Sequence, residues 1–301
     1  MIQIKDYKSA ITIVLLSGLF WSFGPYVVRH IDQPGQVAWQ YLFTRGAVIF
    51  VLLNIFLFLD EGKNFIKNYY NVRLAGLIGG ISLGIAMITF IWSITQTTAA
   101  VTLLCLASMP FIAALLGFLF LKEEVSLNVW ISIFIAAIGI AIMATELTGK
   151  NSMLGLLFGL LSALGFSVFS VSLRWKKDTP KFTTVAIAGL FCFLFSLVML
   201  IYKELPLLSS SKNETLFAVH GSIVCLGLIL YSMGSKIIPS AELTLLSLTE
   251  VVGGIFWVWM PILGINEVPS ANTIVGGFLI LMSIVYYSFI IQGNRRFIAL
   301  N

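Results

Sequence analysis

Residues 97–143 read TTAAVTLLCLASMPFIAALLGFLFLKEEVSLNVWISIFIAAIGIAIM, and residues 238–287 read IPSAELTLLSLTEVVGGIFWVWMPILGINEVPSANTIVGGFLILMSIVYY. The two stretches share one plan. Each starts a helix with a small residue, Ala100 or Ala241, and runs through a Leu/Ser-rich segment. Each reaches an acidic residue before a polar turn, Glu124 or Glu267, and continues into a Gly-containing apolar helix. The second copy has two extra residues near Pro261. Setting Ala100 on Ala241 gives an offset of 141, which also pairs Phe90 with Tyr231. A repeat at this distance divides the chain of 301 residues into two halves, 1–148 and 149–301.

Outward from these stretches, apolar runs recur at roughly 10–29, 36–59, 73–93, 98–121, 127–145, 153–174, 182–202, 215–235, 240–264 and 271–291. Each is close to the roughly 20 residues that an α-helix needs to cross a bilayer. The runs are continuously apolar and do not alternate, which excludes a transmembrane β-barrel. The expected fold is an all-α integral membrane protein of ten transmembrane helices. Five helices per half is an odd number, so the halves lie in opposite orientations. Inverted repeats of this kind build many secondary transporters, whose substrate site lies near the bilayer midplane between the repeats.

Composition agrees. The chain is 59 % hydrophobic and only 10 % charged, against about 45–50 % and about 25 % in soluble domains. That excludes an ordinary cytosolic enzyme, a disordered tail and a nucleic-acid binder. The net charge of +5 follows from 18 Lys and Arg, unevenly placed. On the ten-helix reading thirteen fall on the side of the N-terminus and four (Arg29, Lys150, Lys203, Lys212) on the other, while Arg45 sits within a span. Such a bias puts both termini in the cytoplasm of a multi-pass cytoplasmic-membrane protein. The first run is too long for a signal-peptide core and no A-x-A site follows it, so it reads as a retained span. Cys105, Cys192 and Cys225 are scattered within apolar runs and read as small packing residues. The polar stretches around 60–72 and 203–214 are too short to fold alone.

These residues resemble the drug/metabolite transporter superfamily, and within it the ten-helix EamA-like transporters. The likeness is carried by Trp21 in GLFWSFGPYVVRH, Arg45 in YLFTRGAVIF, Pro110 fourteen residues before Glu124, and Glu250 followed by WVW, NEVPS and Gly276-Gly277. Val251 stands where the family often has proline, so the resemblance implies a weaker break in helix nine than is usual there. It also implies transport of small organic metabolites by alternating access around a cavity made mainly by helices one, three, four, six, eight and nine.

Charges at mid-membrane are costly and therefore face a cavity or a partner. Glu250 lies about ten residues into helix nine and reads as a cavity carboxylate that binds an amine or couples a proton, with a structural pairing to Arg45 as the other reading. Arg45, equally deep in helix two, reads first as a structural ion pair or carbonyl clamp and second as a substrate-carboxylate ligand. Glu242, in a helix's first turn, reads as a dipole cap before an inner gate with Lys236. Arg29 reads as a snorkelling residue and His220 as hydrogen-bonded packing. Trp21, Phe90, Trp92, Tyr231 and Trp257 are candidates for an aromatic cavity wall, suited to a flat or cationic solute. Pro110, with Ser108 and Met109, interrupts helix four and offers freed backbone or a hinge. Gly80-x-x-x-Gly84, Gly155-x-x-x-Gly159 and Gly253-Gly254 read as close-packing surfaces.

The leading function is therefore secondary transport of an amino acid or a related amine or zwitterion. Carriage of larger cofactor- or nucleotide-like solutes stands second, and an intramembrane enzyme or a non-transporting scaffold third. No P-loop occurs and no cofactor is expected. The expected partners are a small-molecule substrate and membrane lipids, with proton coupling open, no nucleic acid, and a monomer or homodimer.

Overall fold

In the computed structural model the described residues are 6–122, 127–145, 153–176 and 178–299. Among them the regular structure is helical: α1 (Tyr7–His30), α2 (Ala38–Glu61), α3 (Phe65–Asn71), α4 (Arg73–Gln96), α5 (Ala99–Leu106), α6 (Met109–Leu121), α7 (Leu127–Ala144), α8 (Met153–Trp175), α9 (Lys181–Tyr202), α10 (Ser211–Gly234), α11 (Ser240–Ser247), α12 (Thr249–Trp259) and α13 (Ala271–Ala299). Glu124, the acidic residue closing the first repeat copy, lies outside the described residues, as do Lys5, Lys150 and Lys177. In a bilayer every backbone polar group must be satisfied within the protein, and continuous helices do this. Local signals set where they begin. Asp6 caps α1 by accepting from the Ser9 backbone N–H at 2.6 Å, and Thr98 and Ser210 cap α5 and α10 in the same way. The hydrogen bonds from the Ser9 hydroxyl and N–H hold the Asp6 carboxyl below its usual range.

Among the described residues eight spans are long and apolar enough to cross a membrane, counting α2 with α3, α5 with α6 and α11 with α12 as one each. Two shorter apolar stretches, Trp130–Ile142 in α7 and Ala271–Ser283 in α13, pack along each other. The polar stretch after α2 is a short helical connection through α3, with Ile66 and Tyr70 exposed.

Helix four breaks at Ala107–Ser108, immediately before Pro110, which sits in the first turn of α6 where its missing N–H costs nothing. Helix nine breaks too, at Leu248. That is the offset of 141 from Ala107, although Val251 replaces the proline. The second break is present without proline, over the single residue Leu248 where helix four turns over Ala107 and Ser108. Its cause is hydrogen bonding rather than a missing donor: Leu248 N–H turns to the Leu245 carbonyl, and Val251 N–H to that of Leu248. The Thr249 hydroxyl donates to the Leu15 carbonyl of α1 at 3.1 Å, tying the break to a neighbouring helix.

Contacts between elements come in matched pairs. α4 packs on α8 as α1 does on α10, α4 on α9 as α2 does on α10, and α1 on α12 as α6 does on α8. α2 and α9 cross closely because two glycines meet there. A Cβ on Gly46 would lie 2.6 Å from the Phe193 backbone nitrogen, and one on Gly189 would lie 2.9 Å from that of Phe50. Gly80 and Gly84 likewise face α9, so small residues set the approach of these helices. All three cysteines are buried and free.

Backbone at this distance cannot yield. Gly46→Val is expected to destabilise the protein by about 1–3 kcal/mol through overpacking, read as a lowered unfolding midpoint in detergent. Gly35→Ala, at a site with no atom within 4 Å of the new Cβ, leaves the midpoint unchanged. Equal midpoints for Gly46→Val and the parent would refute this account of the crossing.

Candidate transport cavity

Arg45, His220 and Glu250 come from α2, α10 and α12, and all three line one central space. Trp21, Phe90, Phe166, Met87 and Met109 supply much of its apolar wall. The space measures about 60 Å³, enough for a few water molecules and well below the roughly 300–1,000 Å³ of a ligand site. Arg45 is 5 % exposed and Glu250 is 9 % exposed, so both charges are withdrawn from water. Arg45 Nε and Nη1 have no hydrogen-bond partner. This corrects the expectation of a structural ion pair or carbonyl clamp. Among the described residues neither Arg45 nor Glu250 has an ion-pair partner, and they stand in the same cavity at electrostatic range.

The break in helix nine places Glu250. It puts the carboxylate in the first turn of α12, where the helix dipole stabilises negative charge. His220 is fully buried, with Nδ1 hydrogen-bonded to the Tyr41 hydroxyl and Nε2 against Gly24, where a Cβ would lie at 3.0 Å. Tyr41 in turn stacks on Phe217 at 4.8 Å. His220 is hydrogen-bonded, as expected of packing, and it also presents a ring to the cavity, which the sequence reading did not foresee.

The aromatic candidates separate. Trp21 and Phe90 line the cavity, and Trp21 Nε1 donates to the Val224 carbonyl at 3.2 Å. Tyr231, the repeat mate of Phe90, lies one layer back. Its ring is packed against Trp21 and Phe166, and its hydroxyl is bonded to Ser170 Oγ at 2.6 Å. Phe166 takes the wall position in front of it. Trp92 packs on Trp39 at 5.1 Å, and Trp257 stacks on Phe23 at 5.0 Å with its Nε1 on Ser22 Oγ, so neither lines the space. Met109 does line it, whereas Ser108 returns its hydroxyl to the Cys105 carbonyl at 2.6 Å. Pro110 sits at the hinge itself.

Ties between distant segments hold the two ends of the bundle. At one end the Tyr7 hydroxyl of α1 donates to Glu242 in the first turn of α11. At the other, Arg29 pairs with Glu267, Nε to Oε2 at 2.7 Å, and donates to the Ile94 and Thr97 carbonyls. Glu267 also accepts from the Ala99 N–H that opens α5, at 2.6 Å. Arg29 is therefore not a snorkelling residue. Its partner is 238 positions away, and the acidic residue that closes the second repeat copy carries the other half of the tie.

Residues 8–145 match the EamA-like transporter family. A curated relative, the Pseudopaline exporter CntI of Pseudomonas aeruginosa, is 23 % identical over 217 residues, covering 70 % of this chain and 74 % of the relative, in two strains alike. A solved crystal structure aligns with a TM-score of 0.65 at 18 % identity, covering 94 % of this chain and 97 % of that one, and supports the fold.

The Arg29–Glu267 tie, with both side chains less than a fifth exposed, is expected to couple in a double-mutant cycle. Arg29→Gln and Glu267→Gln should each lower stability, and the double variant should lose less than their sum by about 1–2 kcal/mol, measured by unfolding in detergent. Strictly additive losses would show that the two side chains act independently.

Proposed function

We propose that this chain, whose residues 8–145 match the EamA-like transporter family, belongs to the drug/metabolite transporter superfamily and is a secondary transporter of a small zwitterionic metabolite, an amino acid or related amine. The family and the exporter relative support a multi-pass membrane transporter of small metabolites. The observation that carries the finer reading is the pair of opposite charges in one buried cavity. Arg45 keeps two donors without partners, and Glu250 stands across from it without an ion pair. Arg45 takes the substrate carboxylate, for which its planar fork is suited. Glu250 takes the ammonium, and Trp21, Phe90 and Phe166 meet the side chain.

The small cavity and the ties at both ends support a closed conformation, from which substrate enters only when the halves move. In this reading ten helices form two inverted five-helix units, residues 1–148 and 149–301, with both termini in the cytoplasm of the inner membrane. The matched packing of α1 on α10 and α4 on α8, and the paired breaks at Ala107 and Leu248, support the inverted repeat. The halves rock about the cavity, with α5–α6 and α11–α12 bending at their breaks. The relative's name supports export as the direction.

Uptake into proteoliposomes, with labelled amino acids, amines, nucleosides and organic acids, tests this. Saturable uptake of an amino acid or amine zwitterion is expected. Arg45→Gln and Glu250→Gln are each expected to raise KM for it by about 30-fold or more, the cost of leaving one buried charge unmatched. Uptake driven by a proton gradient in the parent and lost in Glu250→Gln would assign proton exchange to that carboxylate. Gradient-independent uptake in the parent makes the protein a facilitator. Unchanged KM in both variants would overturn the assignment of the cavity.

A further inference from the structure

α10 meets α2 at the level of Arg45. Gly221, the residue after His220, permits this approach: a Cβ on it would lie 3.4 Å from Arg45 Cα and 3.1 Å from Val48 Cγ1. His220 is 1 % exposed and lines the same cavity as Arg45 and Glu250. One edge of its ring, at Nδ1, meets the hydroxyl of Tyr41, four residues before Arg45 on α2. Tyr41 is buried and stacked on Phe217, so that hydroxyl is sealed behind the ring. The other edge lies over Gly24 of α1, where a Cβ would stand 3.0 Å from Nε2 and 3.4 Å from Cε1. Gly24 lines the cavity as well. The two ring nitrogens therefore have different surroundings, a closed phenol for Nδ1 and the edge of the cavity for Nε2.

That difference fixes the proton on the ring. A buried phenol O–H without an acceptor costs about 1–3 kcal/mol. Among the described residues the Tyr41 hydroxyl has His220 Nδ1 as its one partner. The hydroxyl therefore donates and Nδ1 accepts. A ring nitrogen that accepts carries no hydrogen, so the imidazole proton is on Nε2. The opposite tautomer would leave the phenol hydrogen in a closed apolar site and turn a bare lone pair toward the cavity. With Nε2–H in place, the meeting of α2 and α10 presents donors only: this N–H, and Nε and Nη1 of Arg45, which have no partner. Glu250 supplies the acceptor from α12. A carboxylate, with two oxygens and several lone pairs, is the group that accepts from an Arg and a second donor together.

We propose that His220 is the second ligand of the substrate carboxylate: its Nε2–H donates to one oxygen while Arg45 holds the group, and Tyr41 is the positioning residue that keeps the proton on Nε2. This deepens the zwitterion reading and rests on it. It adds a neutral donor beside the charged one, so recognition of the carboxylate depends on the shape of the donor set and not on the Arg45 charge alone.

Two measurements test it. The full chain is labelled with ¹⁵N-histidine, and His30→Gln leaves His220 as its one histidine. Nitrogen NMR in detergent is expected to show Nε2 protonated and Nδ1 bare, with Tyr41→Phe shifting proton population toward Nδ1. In proteoliposomes His220→Leu is expected to raise KM for the transported zwitterion about tenfold or more, the size of a hydrogen bond to a charged group. His220→Gln, which returns an N–H near the place of Nε2, should recover most of that loss. Inhibition by the decarboxylated amine, which has no carboxylate to hold, should be the same in the parent and in His220→Leu. Should His220→Leu fail to fold, Tyr41→Phe takes its place, with KM raised as the proton leaves Nε2. Zwitterion uptake with KM unmoved by these variants, or a proton on Nδ1 in the parent, would overturn the proposal alone. No zwitterion uptake by the parent would overturn the function and the proposal with it.

Discussion

A basic and an acidic side chain, Arg45 and Glu250, are buried in one apolar interior without an ion pair between them, and the architecture around them answers that constraint. A charged side chain at mid-bilayer costs a few kcal/mol or more unless something meets it. Arg45 and Glu250 are shielded from lipid by α1, α4 and α10, which supply Trp21, Phe90 and His220 to the same wall. The break at Leu248 starts α12 at Thr249, so Glu250 lies in the first turn of that helix, whose dipole favours negative charge there. On the proposed reading, such a site is matched by a ligand that carries both charges, whose entry meets the cost of keeping them apart.

The ends of the bundle complete the arrangement. Tyr7 with Glu242 at one end and Arg29 with Glu267 at the other join segments more than 230 positions apart in the chain. Each tie links α1 to an element near or within the broken helix nine. In the proposed rocking, opening either end means separating α1 from these elements, and the helix breaks are the places where the backbone bends. The close crossing of α2 and α9 through Gly46 and Gly189 is the opposite kind of contact, fixed by backbone on backbone. Rocking fits such a division, with rigid crossings behind and separable ties in front.

Most of the fold was legible in the sequence because a membrane span is a property of one contiguous run, and hydropathy reads it directly. The break beside Pro110 and the burial of Arg45 and Glu250 were legible for the same local reason. What failed to read was pairwise. His220 reads as packing from the sequence because its partner Tyr41 is 179 positions away and its cavity face depends on α1 passing it at Gly24. Arg29 looked like a snorkelling end residue because Glu267 is unrelated to it by any short spacing. Repeat symmetry put Tyr231 on a wall that Phe166 occupies, since the offset of 141 maps backbone positions and not the size of neighbouring rings. The break in helix nine was legible only through the family resemblance, because hydrogen bonds to Leu245 and Leu248, and not a proline, accompany it.

The central claim is that both charges of the cavity engage one solute. It is tested most directly by a series of three compounds in proteoliposomes: the transported zwitterion, its decarboxylated amine and its deaminated acid. The account predicts saturable uptake of the parent and little of either analogue, since each leaves Arg45 or Glu250 buried and unmatched. Uptake of either analogue as fast as the parent would contradict it.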